Sequence, residues 1–310
     1  MKILTQPQRD GNVAMAATIG MFDGMHLGHR CLLDSLKSEA KRRGLATAVV
    51  TFRDHPQNVL YGGNLRWICT LDDRIRCLEA QGVDYLILMD FTKQLASLDS
   101  KQYMEMLRND YGVQALVVGF NHHFGHNRKD GFDCYCKQGS EIGVDVVKAT
   151  EYAGELAPVS SSIIREMIAE GDVESAAKRL CHPFCISGTV VHGKKNGRKM
   201  GFPTANVGEY SSQIVMPPRG VYAALASVDG GACLPAMANV GVRPTLHDGD
   251  ALSVEVNILD FDEDIYGKPF TVYLLKHLRE ERQFSSLDAL KQQLTADRDI
   301  AREYIKNQNI

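Results

Sequence analysis

The chain lacks long apolar runs: none of its 310 residues begins a stretch near the roughly 18 apolar residues that a membrane crossing requires. Its opening, Met1-Lys2-Ile3-Leu4-Thr5-Gln6-Pro7, lacks the apolar core of a secretion signal, so a cytoplasmic location and no membrane partner are expected. It also lacks an excess of charge. A formal net charge of -3 argues against electrostatic binding of nucleic acid by the chain as a whole, so any anionic ligand must be held locally. Two phosphate signatures are missing, GxxxxGK[ST] and GxGxxG, which argues against a P-loop kinase and a nicotinamide dehydrogenase. Zinc spacing is missing too. Cys134 with Cys136, and Cys181 with Cys185, have no matching second ligand pair, and the eight cysteines read as reduced thiols. No internal repeat, low-complexity tract or long linker is present.

What is there is globular. Hydrophobic residues make up 44% and charged residues 24% of a chain longer than one core usually holds, so two domains are expected. Through the first half, β-rich apolar runs at 14–19, 46–52, 85–89, 115–118 and 144–147 alternate with amphipathic stretches at 27–43, 72–81, 100–110 and 132–142. That alternation predicts a Rossmann-like parallel sheet covered by helices on both faces. After a further helix at 161–170, strands are expected at 186–191, 221–228, 234–240, 252–259 and 270–275, with Asp229-Gly230-Gly231 as a hairpin turn. A last helix over 286–305 would bury Leu287, Leu290, Leu294 and Ile300. The second half therefore reads as a small antiparallel β-barrel with a C-terminal helix. The boundary is placed near His182-Pro183, giving domains 1–182 and 183–310.

In an open parallel sheet, ligands bind beyond the carboxyl ends of the strands. The first strand is followed by Gly20-Met21-Phe22-Asp23-Gly24-Met25-His26-Leu27-Gly28-His29, which leads into a helix. His26 and His29 are three apart and share a helix face, at an N-terminus whose free N–H groups favour phosphate. Gly28 keeps the path between them clear, while Gly20 and Gly24 allow a tight loop. The pair could equally be a helix cap or a buried, hydrogen-bonded couple. Other polar clusters follow later strands: Arg53-Asp54-His55-Pro56, then Asn121-His122-His123 through Asn127-Arg128-Lys129. Ser160-Ser161-Ser162 with Arg165 offers hydroxyls and a guanidinium to an anion, or simply caps the helix.

In the second half, Gly193, four basic residues, Gly201 and Phe202-Pro203-Thr204-Ala205-Asn206 form one Gly-rich run. Alone, such a run is a mobile surface loop or a nucleic-acid patch. Thr204 and Asn206 point the same way in an extended segment and could share a metal–phosphate ligand. At 252–259, Val254, Val256 and Ile258 would face the barrel interior and Ser253, Glu255 and Asn257 the other side, by itself only a solvated face.

The motifs TIGMFDGMHLGH, TFRDHP, VVGFNHHFGHNRKDGF and SSSIIRE, in this order, resemble the FAD synthetase module of bacterial bifunctional riboflavin kinase/FMN adenylyltransferases. GFPTAN, GVYAA, ANVGVRPT, VEVNILDFDEDIYGK and LREERQF resemble the riboflavin kinase module, so the likeness spans essentially the whole chain. It implies a nucleotidyltransferase domain and a kinase barrel that turn riboflavin into FMN and FMN into FAD with ATP and Mg²⁺. By that resemblance Gly20, Phe22, Asp23, Gly24, His26, Gly28, His29, Asn121, Ser160, Ser161 and Arg165 hold ATP for adenylyl transfer, with His26 and His29 stabilising its phosphates. His55 and Arg128 are on the FMN side. Gly193, Gly201, Pro203, Thr204 and Asn206 hold ATP in the kinase, Thr204 and Asn206 being the Mg²⁺ residues. Glu255 is the base for the riboflavin 5′-hydroxyl, and Arg279 and Phe284 enclose flavin. The chain departs from the family pattern at His122, where an aromatic is common, and at Ser162, where Thr is usual. A class I aminoacyl-tRNA synthetase shares an HxGH motif, but no counterpart of its anticodon-binding extension is present. A non-catalytic flavin-binding regulator and an enzyme with one decayed domain are the competing readings. The sequence leaves the oligomeric state undetermined.

Overall fold

A computed structural model describes residues 1–7, 13–120, 122–126, 130–193, 197, 201–243 and 251–308. The chain divides into two compact units, residues 1–161 and 162–310.

The first unit is built on strands β1 (Lys2–Leu4), β2 (Met15–Ile19), β3 (Ala46–Phe52), β4 (Tyr85–Met89), β5 (Val113–Val118) and β6 (Asp145–Lys148). All pairings are parallel, in the order β1-β4-β3-β2-β5-β6. The apolar runs are continuous because both faces of the sheet are covered. On one face Ala16, Val49, Leu86 and Val117 pack with Leu33, Leu36 and Ala40 of helix α1 (Leu27–Arg43) and Leu78 of α3 (Leu71–Ala80). On the other, Ala17, Val50, Ile87 and Leu116 pack with Tyr103, Met104 and Leu107 of α5 (Ser100–Tyr111) and Tyr135 of α6 (Phe132–Ile142). Two capping boxes, Thr70 with Asp73 and Asp99 with Gln102, set the starts of α3 and α5. Short helices α2 (Pro56–Tyr61) and α4 (Lys93–Ser97) follow β3 and β4.

The second unit holds α7 (Ser161–Glu170), which begins on the last residue of the first unit, and α8 (Val173–Leu180). Strands β7 (Phe184–Val191), β8 (Ala205–Gly208), β9 (Gly220–Val228), β10 (Leu234–Arg243), β11 (Ala251–Ile258) and β12 (Pro269–Arg279) close an antiparallel barrel in the order β10-β11-β8-β7-β12-β9. Asp229 and Gly230 both take positive φ in a turn closed by the Gly231 N–H on the Val228 carbonyl, within the five-residue connection 229–233 between β9 and β10.

Helix α9 (Leu287–Asn307) packs on β9 and β10, but not with the expected stripe. Leu287 is 72% and Ile300 51% exposed, whereas Asp297, Ala301 and Ile305 are buried, with Leu294 and Tyr304 beside them. The buried face follows the spacing 294, 297, 301, 305. It includes a charged residue, which a hydrophobic pattern leaves outside, because Arg279 of β12 meets Asp297.

Candidate active sites

The loop from β2 to α1 is tightly specified. His26 is the N-cap of α1, its Nδ1 accepting from the His29 backbone N–H at 3.3 Å, and the two imidazoles stack 3.7 Å apart. A Cβ on Gly28 would lie 3.2 Å from the His26 ring, so a side chain there would displace it. Phe22 is fully buried with φ 51° and its ring lies 5.0 Å from that of His29; Gly20 leaves room for it.

Asp23 is buried. Its carboxylate accepts from the backbone N–H of Ile68 at 2.8 Å and of Cys69 at 3.3 Å, while the Gly24 N–H donates to Cys69 Sγ. Asp23 thus clamps the loop to the segment before α3. Its carbonyl accepts from Ser161 Oγ at 3.0 Å, which ties the end of the first unit, with the half-buried Ser160 next to it in sequence, to the same loop.

Burial pushes His26 down to about 4, and His29 lies well below the usual imidazole range through burial, then the charges of His26 and Arg74. Both rings are therefore neutral near pH 7, and His29 Nδ1 is buried with no hydrogen-bond partner among the described residues. An arriving anion would supply the missing partner.

His55 caps α2, accepting from the Gln57 N–H at 3.2 Å, and lies edge-on to Trp67. Asn121 and Arg128 lie outside the described residues. Arg165 belongs to the second unit, where it donates to Ser162 Oγ at 3.3 Å.

Sequence reasoning missed the cavity beyond β2, β3 and β5. It measures about 820 Å³, runs from Gly20 and Met21 past Phe52 and Phe91 to Tyr103 and Phe124, and has the His122 ring in its wall. Aromatics just after successive strands were the available signal. Burial pushes His122 down to about 4.

In the barrel, β8 and β11 pair so that Asn206 faces Glu255, and Thr204 Oγ1 donates to Glu255 Oε2 at 3.4 Å. Gly193 is required by close approach: a Cβ there would collide with the Asn206 amide. Gly201 takes φ +80° at the turn before the buried Phe202. The Pro203 carbonyl accepts from Asn257 Nδ2 at 2.7 Å. Asn257 and Ser253 are buried, so the second face of β11 is a site wall and not a solvated surface.

Thr204, Glu255 and Asn257 line a cavity of about 660 Å³ whose other side carries Arg279 and Phe284. Arg279 is aimed by a fork to Asp297, with Nη2 at 2.6 Å from Oδ2, and Gln293 donates to the same carboxylate at 2.6 Å. Phe284 lies 5.8 Å from the Arg279 guanidinium and 5.1 Å from that of Arg282. The cavity thus carries an aromatic ring and a guanidinium opposite a carboxylate.

Residues 8–163 match the FAD synthetase family model and residues 180–305 the riboflavin kinase model. The bifunctional riboflavin kinase/FMN adenylyltransferase of Escherichia coli (strain K12) is 37% identical, over 97% of this chain and 95% of that protein. The protein of that name from Bacillus subtilis (strain 168) is also 37% identical, over 93% and 92%. A crystal structure described as a macrolide-efflux protein from Streptococcus pneumoniae matches with TM-score 0.89 and 32% identity, over 97% of this chain and 99% of that one. Among the described residues, no helix is long and apolar enough to cross a membrane. With both modules matched and near-full-length relatives above 30% identity, the chain belongs to the bifunctional riboflavin kinase/FMN adenylyltransferase family.

Proposed function

We propose that the barrel phosphorylates riboflavin and the parallel-sheet domain adenylylates the resulting FMN, with functional domains 1–182 and 183–310. The observation that supports the reading is the contact of Thr204 with Glu255, a hydroxyl against a carboxylate in the lining of the 660 Å³ cavity.

In the kinase step Glu255 takes the proton of the riboflavin 5′-hydroxyl, whose oxygen attacks the γ-phosphorus of ATP as ADP leaves. Arg279 and Phe284 enclose the flavin ring, while Gly193, Gly201 and Pro203 shape the ATP side. Thr204 and Asn206 fit a Mg²⁺–phosphate ligand. They offer oxygens only, and the described residues contain no cluster of three His, Cys, Asp or Glu, so an ion here would share its ligands with substrate phosphates. Bound Mg²⁺ supplies charge neutralisation on those phosphates.

In the adenylyl step a phosphate oxygen of FMN attacks the α-phosphorus of ATP and pyrophosphate leaves. His26, His29, Ser160, Ser161, Arg165 and Asn121 hold the polyphosphate, and no covalent protein nucleophile is needed. The 820 Å³ aromatic cavity receives the flavin, and His55 and Arg128 are assigned to the FMN side from their sequence motifs alone. The substrates are ATP, riboflavin and FMN, and the compartment that supplies ATP, the cytoplasm, suits the enzyme.

Purified protein incubated with riboflavin, ATP and Mg²⁺ should yield FMN and then FAD on chromatography. No product would refute the enzyme, and FMN alone would refute the adenylyltransferase.

A further inference from the structure

The largest fully enclosed side chain among the described residues is Arg74, only 1% exposed, in the middle of α3. Its Nη1 donates to the Met21 carbonyl at 2.9 Å and to Thr51 Oγ1 at 3.4 Å, and the guanidinium lies 4.5 Å from the centre of the Trp67 ring. These are neutral partners. Among the described residues no carboxylate stands within the 4.0 Å of an ion pair, and Nε has no partner at all. The Asp23 and Asp54 carboxylates act on it only from beyond that distance, and Asp23 is already held by the Ile68 and Cys69 amides.

An ion taken out of water without a counter-ion is costly, and neutral residues of similar size usually pack as well or better. Such costs concentrate at functional sites, where the missing charge arrives with a ligand. The position of Arg74 fits that account. Met21 belongs to the loop that runs from β2 to His26, and Thr51 lies on the adjacent β3, so the guanidinium stands directly behind the loop that carries the imidazole pair. Its charge is felt there, helping to hold His29 below the usual imidazole range.

We propose that Arg74 is a positioning residue for adenylyl transfer: its buried charge, with no carboxylate in ion-pair contact, is the fixed counter-charge to the polyphosphate bound at His26 and His29, delivered from behind the Met21 loop. The proposal rests on reading that imidazole pair as the phosphate site. It differs from a purely structural cross-brace, which a neutral hydrogen-bonding side chain could replace.

The test uses the full-length chain and its Arg74→Met, Arg74→Gln, Arg74→Lys and His26→Ala variants. Calorimetry with inorganic pyrophosphate and Mg²⁺ gives anion affinity, thermal melting gives stability, and FMN formation by the barrel of the same chain is the folding control. Arg74→Met should bind pyrophosphate about tenfold more weakly and lose on the order of 100-fold in kcat/KM for FAD formation. Its Tm should equal or exceed that of the parent, with FMN formation unchanged. Arg74→Lys should recover most of the affinity and Arg74→Gln should not.

Unchanged pyrophosphate affinity in Arg74→Met overturns the proposal, as does equal rescue by Gln and Lys, which also decides the matter if the Met variant does not fold. If His26→Ala alone keeps full pyrophosphate affinity, the imidazole assignment fails while the Arg74 series still reads the effect of the buried charge.

Discussion

The Thr204 hydroxyl donates to the Glu255 carboxylate across 3.4 Å, though 51 positions separate the two residues in the chain. Under the proposed function the contact joins the phosphate side of the barrel site to its base. A positioned carboxylate base contributes about 10²–10⁴-fold. Glu255→Gln should therefore lower FMN formation by that order and leave conversion of supplied FMN to FAD nearly intact. Equal loss of both activities in a folded variant would remove Glu255 from the role.

Gly193→Ala places a methyl where the Asn206 amide stands. Asn206 must move, and displacement of a substrate-positioning group by about 1 Å costs roughly 100-fold. The expected result is a fall of about that size in kinase kcat/KM with FAD synthesis from FMN retained; an unaltered kinase would show that Asn206 does not contact the nucleotide.

His26 gives the first unit a defined acid sensitivity. Burial holds its pKa at about 4 against an ordinary 6.5, so the unfolded chain takes up this proton first as the pH falls. The stability that neutral His26 contributes is complete above pH 6.5 and is lost on acidification from 6.5 to about 4, amounting to ~3 kcal/mol. His26→Asn keeps a capping side chain without the titration. Denaturant unfolding at several pH values should show the slope over that window reduced by about one proton. A parallel pair of curves for parent and variant would contradict the assignment.

Asp297→Ala strips the almost fully buried partner from Arg279. Breaking a buried pair from one side costs about 3–5 kcal/mol, and the lower end is expected because Arg279 retains 18% exposure. The variant should unfold at lower denaturant and bind riboflavin more weakly, measured by quenching of flavin fluorescence. A loss of stability with unaltered riboflavin affinity would limit Asp297 to holding α9.

Asn257→Leu removes the donor to the Pro203 carbonyl. Leaving that acceptor unpaired costs about 1–3 kcal/mol, and the freed turn before Thr204 should raise the KM for ATP in the kinase more than it lowers kcat. The reverse pattern would place Asn257 in the chemical step.

Much of the fold could be read from the chain because parallel strands covered on both faces are continuous apolar runs, and antiparallel β11 alternates, while β9, buried along nearly its whole length, is itself a continuous apolar run. Strand β1 escaped notice because three residues carry no period; it exists only through pairing with β4. Strand β8 was hidden in a segment whose polar residues look like a loop. The stripe of α9 was misplaced because Asp297 is buried by a partner 18 positions away. At the sites, His26, His29, Thr204 and Glu255 stood out through motif spacing. Arg74, Asn257 and the aromatic cavity did not, since in each case the meaning lies in neighbours that only the tertiary fold supplies.

The barrel pairs its first strand with its last, β7 with β12, Thr189 opposite Pro269. During synthesis from the N-terminus, the ring therefore stays open until residue 279 has left the ribosome, long after all six strands of the sheet have emerged. The half that performs the first reaction is the last to be completed. A translation product interrupted before residue 269 would carry the FMN-consuming sheet and no means of making FMN.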